Sequence, residues 1–217
     1  MLGSRGEGGR GCLAGLVLVA AVLSLTGLAG CGSSGRLPVQ ASASPTASTL
    51  KILTVKDSKY DFRMAYPAGW VGTRYQNSTP GGPEGTLQYV VAYADPKGAQ
   101  AGGSYLDSEQ VAVYQLARSM SPDELDIKTA NRLIYDVILK DIASLSPRTN
   151  LKPVMVAGVP AWQVGYEYEV GGEVVSARSA LMVRGERAYW LTGQAGTYTW
   201  RTVAPTLDTC VRHFKLL

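Results

Sequence analysis

Three observations predict an α+β fold, an α/β/α sandwich whose central antiparallel sheet is covered by helices. Apolar residues alternate with polar ones in several runs between residues 60 and 194, Gly171-Gly172 supplies a hairpin turn, and two later stretches carry apolar residues at helical spacing. The 217 residues are 46% apolar and 18% charged, which excludes a disordered chain and suits one or two domains. Glycine is unevenly spread, with 10 of the 25 in the first 35 residues, so the N-terminal region differs in kind from the rest.

That region reads as an address. Arg5 and Arg10 precede an uncharged run from Leu13 to Leu28, followed by Leu28-Ala29-Gly30-Cys31. A basic start, an apolar stretch and small residues before a cysteine are the layout of a secretory signal, residues 1–30, cut between Gly30 and Cys31. The four residues resemble a bacterial lipobox, which makes the Cys31 thiol the site of lipid attachment. The competing reading is an uncleaved membrane span, since about 18 uncharged residues can cross a bilayer; glycines at 11, 15, 27 and 30 make it a poor one. Gly6, Gly8 and Gly11 fit the dinucleotide pattern G-x-G-x-x-G, but no strand feeds that turn, so it indicates no nucleotide site.

Residues 31–50 read as a lipidated flexible tether, with 14 Gly, Ser, Ala, Pro or Thr among residues 32–50 and Arg36 their sole charge. Such a chain holds its cargo roughly 25 Å from the anchor, from about 5–6 Å times the square root of residue number. The expected location is the extracytoplasmic face of a bacterial membrane.

Residues 51–217 are expected to form one domain. Tyr60, Phe62, Met64 and Tyr66 alternate with Asp61, Arg63 and Ala65, then Leu87 to Tyr93 and Val111 to Leu116 repeat the pattern. The clearest element is a three-stranded meander over 160–194. Gly171-Gly172 tolerates the positive φ of a tight turn and sets a register in which Val170 faces Glu173, Tyr168 faces Val175 and Trp162 faces Leu181. A second turn at Gly185-Glu186 then puts Leu181 opposite Trp190. Both faces of the middle strand are apolar, so both need a cover.

Two helices are predicted as that cover. Ser121-Pro122-Asp123-Glu124 is a start signal, with a cap, Pro at the first position and Glu at the third. Beyond it Ala130, Leu133, Ile134, Val137, Ile138, Ile142 and Leu145 share one face, with Arg132, Asp136 and Lys140 stepping along the other. The second helix carries Trp200, Val203, Leu207, Cys210, Val211 and Phe214, with a kink or restart expected at Pro205.

Two stretches resemble the PsbP-like and Mog1-like superfamily: YDFRMAYPAGW at 60–70, and the run from AWQVGYEYEV at 161 through the closing helix and Phe214. His213-Phe214 replaces the family's closing Ser-Phe. The resemblance implies an α/β/α sandwich, frequent lipoprotein status among bacterial relatives, and a non-catalytic accessory that helps to assemble or stabilise a membrane complex.

Catalytic signatures are missing from the sequence. His213 is the one histidine, no G-x-S-x-G elbow or P-loop occurs, and the domain offers one Cys and one His where a structural zinc takes four ligands. No metal and no cofactor is expected. A net charge of +4 is too small to predict nucleic-acid binding. Glu167 and Glu169 form a carboxylate pair, but Glu167 lies diagonal to Arg178, which predicts a cross-strand ion pair. Asp123 and Glu124 suit a helix N-terminus. Cys210 is expected as a small buried apolar residue.

Tyrosine is over-represented, 12 against 2 Phe, and Tyr can present an adhesive surface. Tyr114 and Tyr189, on the less clearly buried strand faces, are the candidate partner-binding residues. The expected function is therefore a membrane-tethered binding or assembly module that contacts lipid through Cys31 and an envelope protein through the domain. The competing expectation is a small-ligand-binding or weakly hydrolytic envelope protein with an internal pocket.

Overall fold

In the computed structural model residues 51–77 and 81–217 are described; the expected signal, the Gly30-Cys31 junction and the tether lie outside them. In chain order the strands are β1 (Ile52–Asp57), β2 (Phe62–Pro67), β3 (Val71–Gln76), β4 (Leu87–Ala94), β5 (Gln100–Ala101), β6 (Ser104–Tyr105), β7 (Ser108–Met120), β8 (Ser146–Pro147), β9 (Lys152–Val156), β10 (Val159–Val170), β11 (Glu173–Gly196) and β12 (Lys215–Leu216). The helices are α1 (Ile127–Asn131) and α2 (Trp200–Arg212). The class is mixed α+β, dominated by antiparallel sheet. The main sheet runs β3-β4-β7-β11-β10-β8, with β9 also paired to β10, and a smaller sheet runs β1-β2-β12.

The predicted register of the first hairpin is observed. Val170 faces Glu173, Tyr168 faces Val175 and Trp162 faces Leu181, around Gly171 and Gly172 at φ +57° and +84°. β11 is 24 residues long, and at about 3.3 Å per residue its ends would stand roughly 75 Å apart if it were straight. Instead the Thr197 amide donates to the Val174 carbonyl at 3.0 Å, and Ser179 Oγ lies 2.8 Å from Thr192 Oγ1. The segment therefore doubles back at Gly185-Glu186, where Gly185 has φ +61°. One arm pairs with β10 and the other with β7.

Alternation sends neighbouring residues to opposite faces of this sheet and so builds two cores. On one face Tyr114, Tyr166, Tyr168, Leu181 and Trp190 pack with Leu133, Ile134 and Ile138 of the helical segment. On the other Tyr89, Val111, Val113, Met182, Tyr189 and Leu191 pack with Phe62, Met64 and Phe214. This second face was expected to carry a helix alone. The small sheet contributes Phe62 and Met64 to it, and α2 covers it at Leu207, whose side chain lies against Gly193.

The first predicted helix is broken into pieces. Ser121 starts a single 3-10 turn, Pro122–Glu124, and Glu124 Oε2 accepts the Ser121 amide at 2.6 Å. Leu125 then turns inward, 6% exposed, and its carbonyl accepts the Trp162 indole N–H at 2.7 Å instead of a helical amide. Asp126 caps a second start by accepting the Thr129 amide at 2.7 Å, and the helix continues as a π-helical turn, Arg132–Ile138. Ile142 and Leu145 lie beyond it, and Arg132 pairs with Glu84 at 2.5 Å. α2 runs continuously through Pro205, with no restart there.

Candidate functional site

An open apolar groove of about 560 Å³ lies between the β9–β10 hairpin and the Pro122 turn. Its floor is set by register, since Pro153 faces Trp162, Val154 faces Ala161 and Met155 faces Pro160. Pro153 is tolerated because β9 pairs on one side only, leaving an edge where a missing N–H costs no ladder bond. Pro122, Pro153 and Pro160 stiffen the rim, and the Trp162 indole, tied to the Leu125 carbonyl, locks the two walls together. Met155 stands 65% exposed in the groove. A flexible thioether on a rigid apolar floor is a surface that adapts to another apolar surface.

A second cluster lies beneath α2. Cross-strand pairing places Tyr93 beside Glu109 and Glu109 beside Gly193. Glu109 is 2% exposed, and its Oε1 has no hydrogen-bond partner. Burial pushes its carboxyl up to about 8, against a hydrogen bond to the Cys210 thiol that favours the charged form. Burial and the facing carboxyl push the Cys210 thiol far above its usual range, so this cysteine is inert at neutral pH. Leu207 seals Gly193, and further along Arg178 binds Asp208 at 2.5 Å and lies 5.5 Å from the Trp200 ring centre. The crevice left there holds about 10 Å³, room for about one water. That crevice does not supply the internal pocket which the small-ligand reading requires.

Tyr114 and Tyr189 are 5% and 1% exposed, so neither presents its ring to a partner; both fill the cores because strand alternation runs through them. Glu167 does not pair with Arg178. It binds Arg148 at 2.5 Å and accepts the Ser176 hydroxyl at 2.8 Å, while α2 draws Arg178 to Asp208. Glu169 stands exposed on the same strand face. Asp123 lines the groove and Glu124 pairs with Arg118 at 3.2 Å. His213 is exposed, with Nδ1 2.8 Å from the Thr209 carbonyl at the end of α2. Among the described residues no group of three His, Cys, Asp or Glu could hold a metal ion. Cys210 is buried as expected, but its carboxyl neighbour went unread. The signal was Glu109 in phase with Val111 and Val113, the apolar positions of β7.

These elements define an antiparallel α+β domain with a groove at one edge, and its fold is similar to that of a PsbP protein. The chain is similar to the solution structure of cyanobacterial PsbP, CyanoP, from Synechocystis sp. PCC 6803, with a TM-score of 0.55 and 15% identity over 82% of this chain and 99% of that one. It is also similar to LpqN, involved in cell envelope biogenesis of Mycobacterium tuberculosis, with a TM-score of 0.46 and 12% identity over 77% of this chain and 91% of that one. No protein-family profile and no curated protein sequence matches the chain. At such identities the likeness to CyanoP establishes the fold, and the role must come from the residues.

Proposed function

We propose that this chain is a non-catalytic envelope lipoprotein on the extracytoplasmic face of a bacterial membrane. In this reading residues 1–30 direct export, Cys31 carries the lipid, and 31–50 form the tether. Residues 51–217 are then a single PsbP-like α/β/α sandwich that binds or helps to assemble an envelope protein. The observation that carries it is the groove: Met155, 65% exposed, lies on a floor fixed by Trp162 and three prolines. The same reading is supported by Glu124, Glu167 and Arg178, which are ion-paired at the surface, and by Glu109, which is sealed under α2. The reading needs no cofactor and no nucleic acid.

Two measurements test it. Mass spectrometry of the membrane fraction should find a chain that begins at a diacylglyceryl-modified Cys31; an unmodified Cys31 or a retained Met1 overturns the anchor. Met155→Asp in the full chain should fold normally, since the side chain is mostly exposed, and should lose the envelope protein that co-purifies with the wild type. An unchanged set of partners counts against the groove.

A further inference from the structure

The small sheet carries a line of cations that no ion pair among the described residues neutralises. Pairing of β1 with β2 sets Lys56 opposite Arg63, and pairing of β12 with β2 sets Lys215 on the other side of Arg63. Strands lie about 4.8 Å apart, so three positive charges fall within roughly 10 Å. Like charges directly opposite one another destabilise a sheet unless something compensates.

No acid in the sheet does so. The ladder rows that follow are Thr54 with Ala65 and Ile52 with Pro67. Asp57 accepts the amides of Lys59 and Tyr60 at 3.1 and 3.0 Å, and Asp61 pairs with Arg187 at 3.0 Å. Lys56 and Lys215 are exposed, and the Arg63 Nε is buried with no hydrogen-bond partner. Arg184 and Arg187 nearby differ, since each has an oxygen partner, the Leu217 carbonyl and Asp61.

We propose that the Lys56–Arg63–Lys215 row docks on the anionic headgroups of the membrane that holds the chain. The inference rests on the reading of Cys31 as a lipid anchor, and it adds an orientation to it. β1 is the first strand after the tether of residues 31–50, so the lipid-proximal end of the domain is also its unneutralised basic face. A guanidinium flanked by two ammonium groups is suited to phosphodiester oxygens. Each cation near an anionic surface strengthens binding about fivefold, and three together about a hundredfold.

The test uses the full chain, reconstituted into phosphatidylcholine vesicles or into vesicles of phosphatidylglycerol and phosphatidylcholine in equal parts. A water-soluble amine-acylating reagent is applied, and labelling is read by mass spectrometry at Lys56, Lys215 and the exposed control Lys152. Labelling of Lys56 and Lys215 should slow by about tenfold or more on the anionic vesicles alone. High salt, which cuts the screening length to about 3 Å at 1 M, should restore it. Lys152 should label equally on both. Lys56→Gln, an exposed substitution, should speed Lys215 labelling on anionic vesicles by about fivefold. Equal labelling on both vesicles, with the chain retained on both, overturns the docking and leaves the anchor standing. A chain retained on neither overturns both.

Discussion

Glu109→Gln should remove a pH dependence that the wild-type fold carries. The carboxyl is 2% exposed and is pushed from 4.5 up to about 8 by burial. The folded chain therefore keeps a proton that the unfolded chain releases above pH 4.5, and its stability falls as pH rises. The contribution is fully present below 4.5, declines up to about 8 and is flat beyond. The slope is at most about 1.4 kcal/mol per pH unit, or about 5 kcal/mol across the window. Other carboxylates act in the opposite sense. Glu84, Glu124 and Asp126 are held below their usual range by Arg132, the Ser121 amide and the Thr129 amide, so their contribution is lost only as pH falls through that lower range. Maximum stability should thus lie near pH 5. Urea unfolding followed by tryptophan fluorescence between pH 4 and 9 measures this. The Gln variant, neutral at every pH, should show a flat profile above pH 5 and exceed the wild type at pH 8. A wild type whose stability rises between pH 5 and 8, or a Gln variant with the same slope, refutes the reasoning.

Other substitutions probe separate parts of the fold. Asp107, 1% exposed, accepts the Ala99 amide at 3.0 Å, the Gly196 amide at 3.1 Å and the Thr199 hydroxyl at 2.6 Å, tying the entry of α2 to the 95–99 turn. Asp107→Ala should cost about 3–5 kcal/mol in urea unfolding, and a loss below about 1 kcal/mol would show that the loops hold without it. Gly172→Ala meets open space but has φ +84°, so it should cost about 1–2 kcal/mol. Gly171→Ala should cost more, since its Cβ would approach the Gly102 nitrogen at 3.0 Å; equal midpoints would deny that contact. Trp162→Phe removes the bond to Leu125 and should lower stability by about 1–2 kcal/mol, with a loosened groove visible as faster hydrogen exchange at Leu125 and Asp126.

What the sequence made legible follows from how local each signal is. The hairpin at Gly171-Gly172 and the reversal at Gly185 were readable because period-2 alternation and positive φ act over a few residues. The helix start at Ser121 was readable too, but its length was not, because a residue 37 positions away takes the Leu125 carbonyl. Short strands such as β9 and β12 carry too few alternations to be read. The mistaken Glu167–Arg178 pair has the same origin: register placed them diagonally, and Asp208 on α2, distant in sequence, decided the outcome. Tyr114 and Tyr189 were misjudged because the covers over their faces are assembled from remote segments. The groove depends on Pro153, Pro160 and Pro122 meeting in space, which their sequence positions do not announce.

The claim that this domain is a binding module is tested most directly by a photo-crosslinking residue placed at Met155 in the full chain in cells, with a second at Tyr198, 66% exposed and outside the groove, as control. The account predicts one discrete adduct with a particular envelope protein from position 155, weakened by Val154→Asp, and none from 198. The same adducts from both positions, or none from 155, would contradict it.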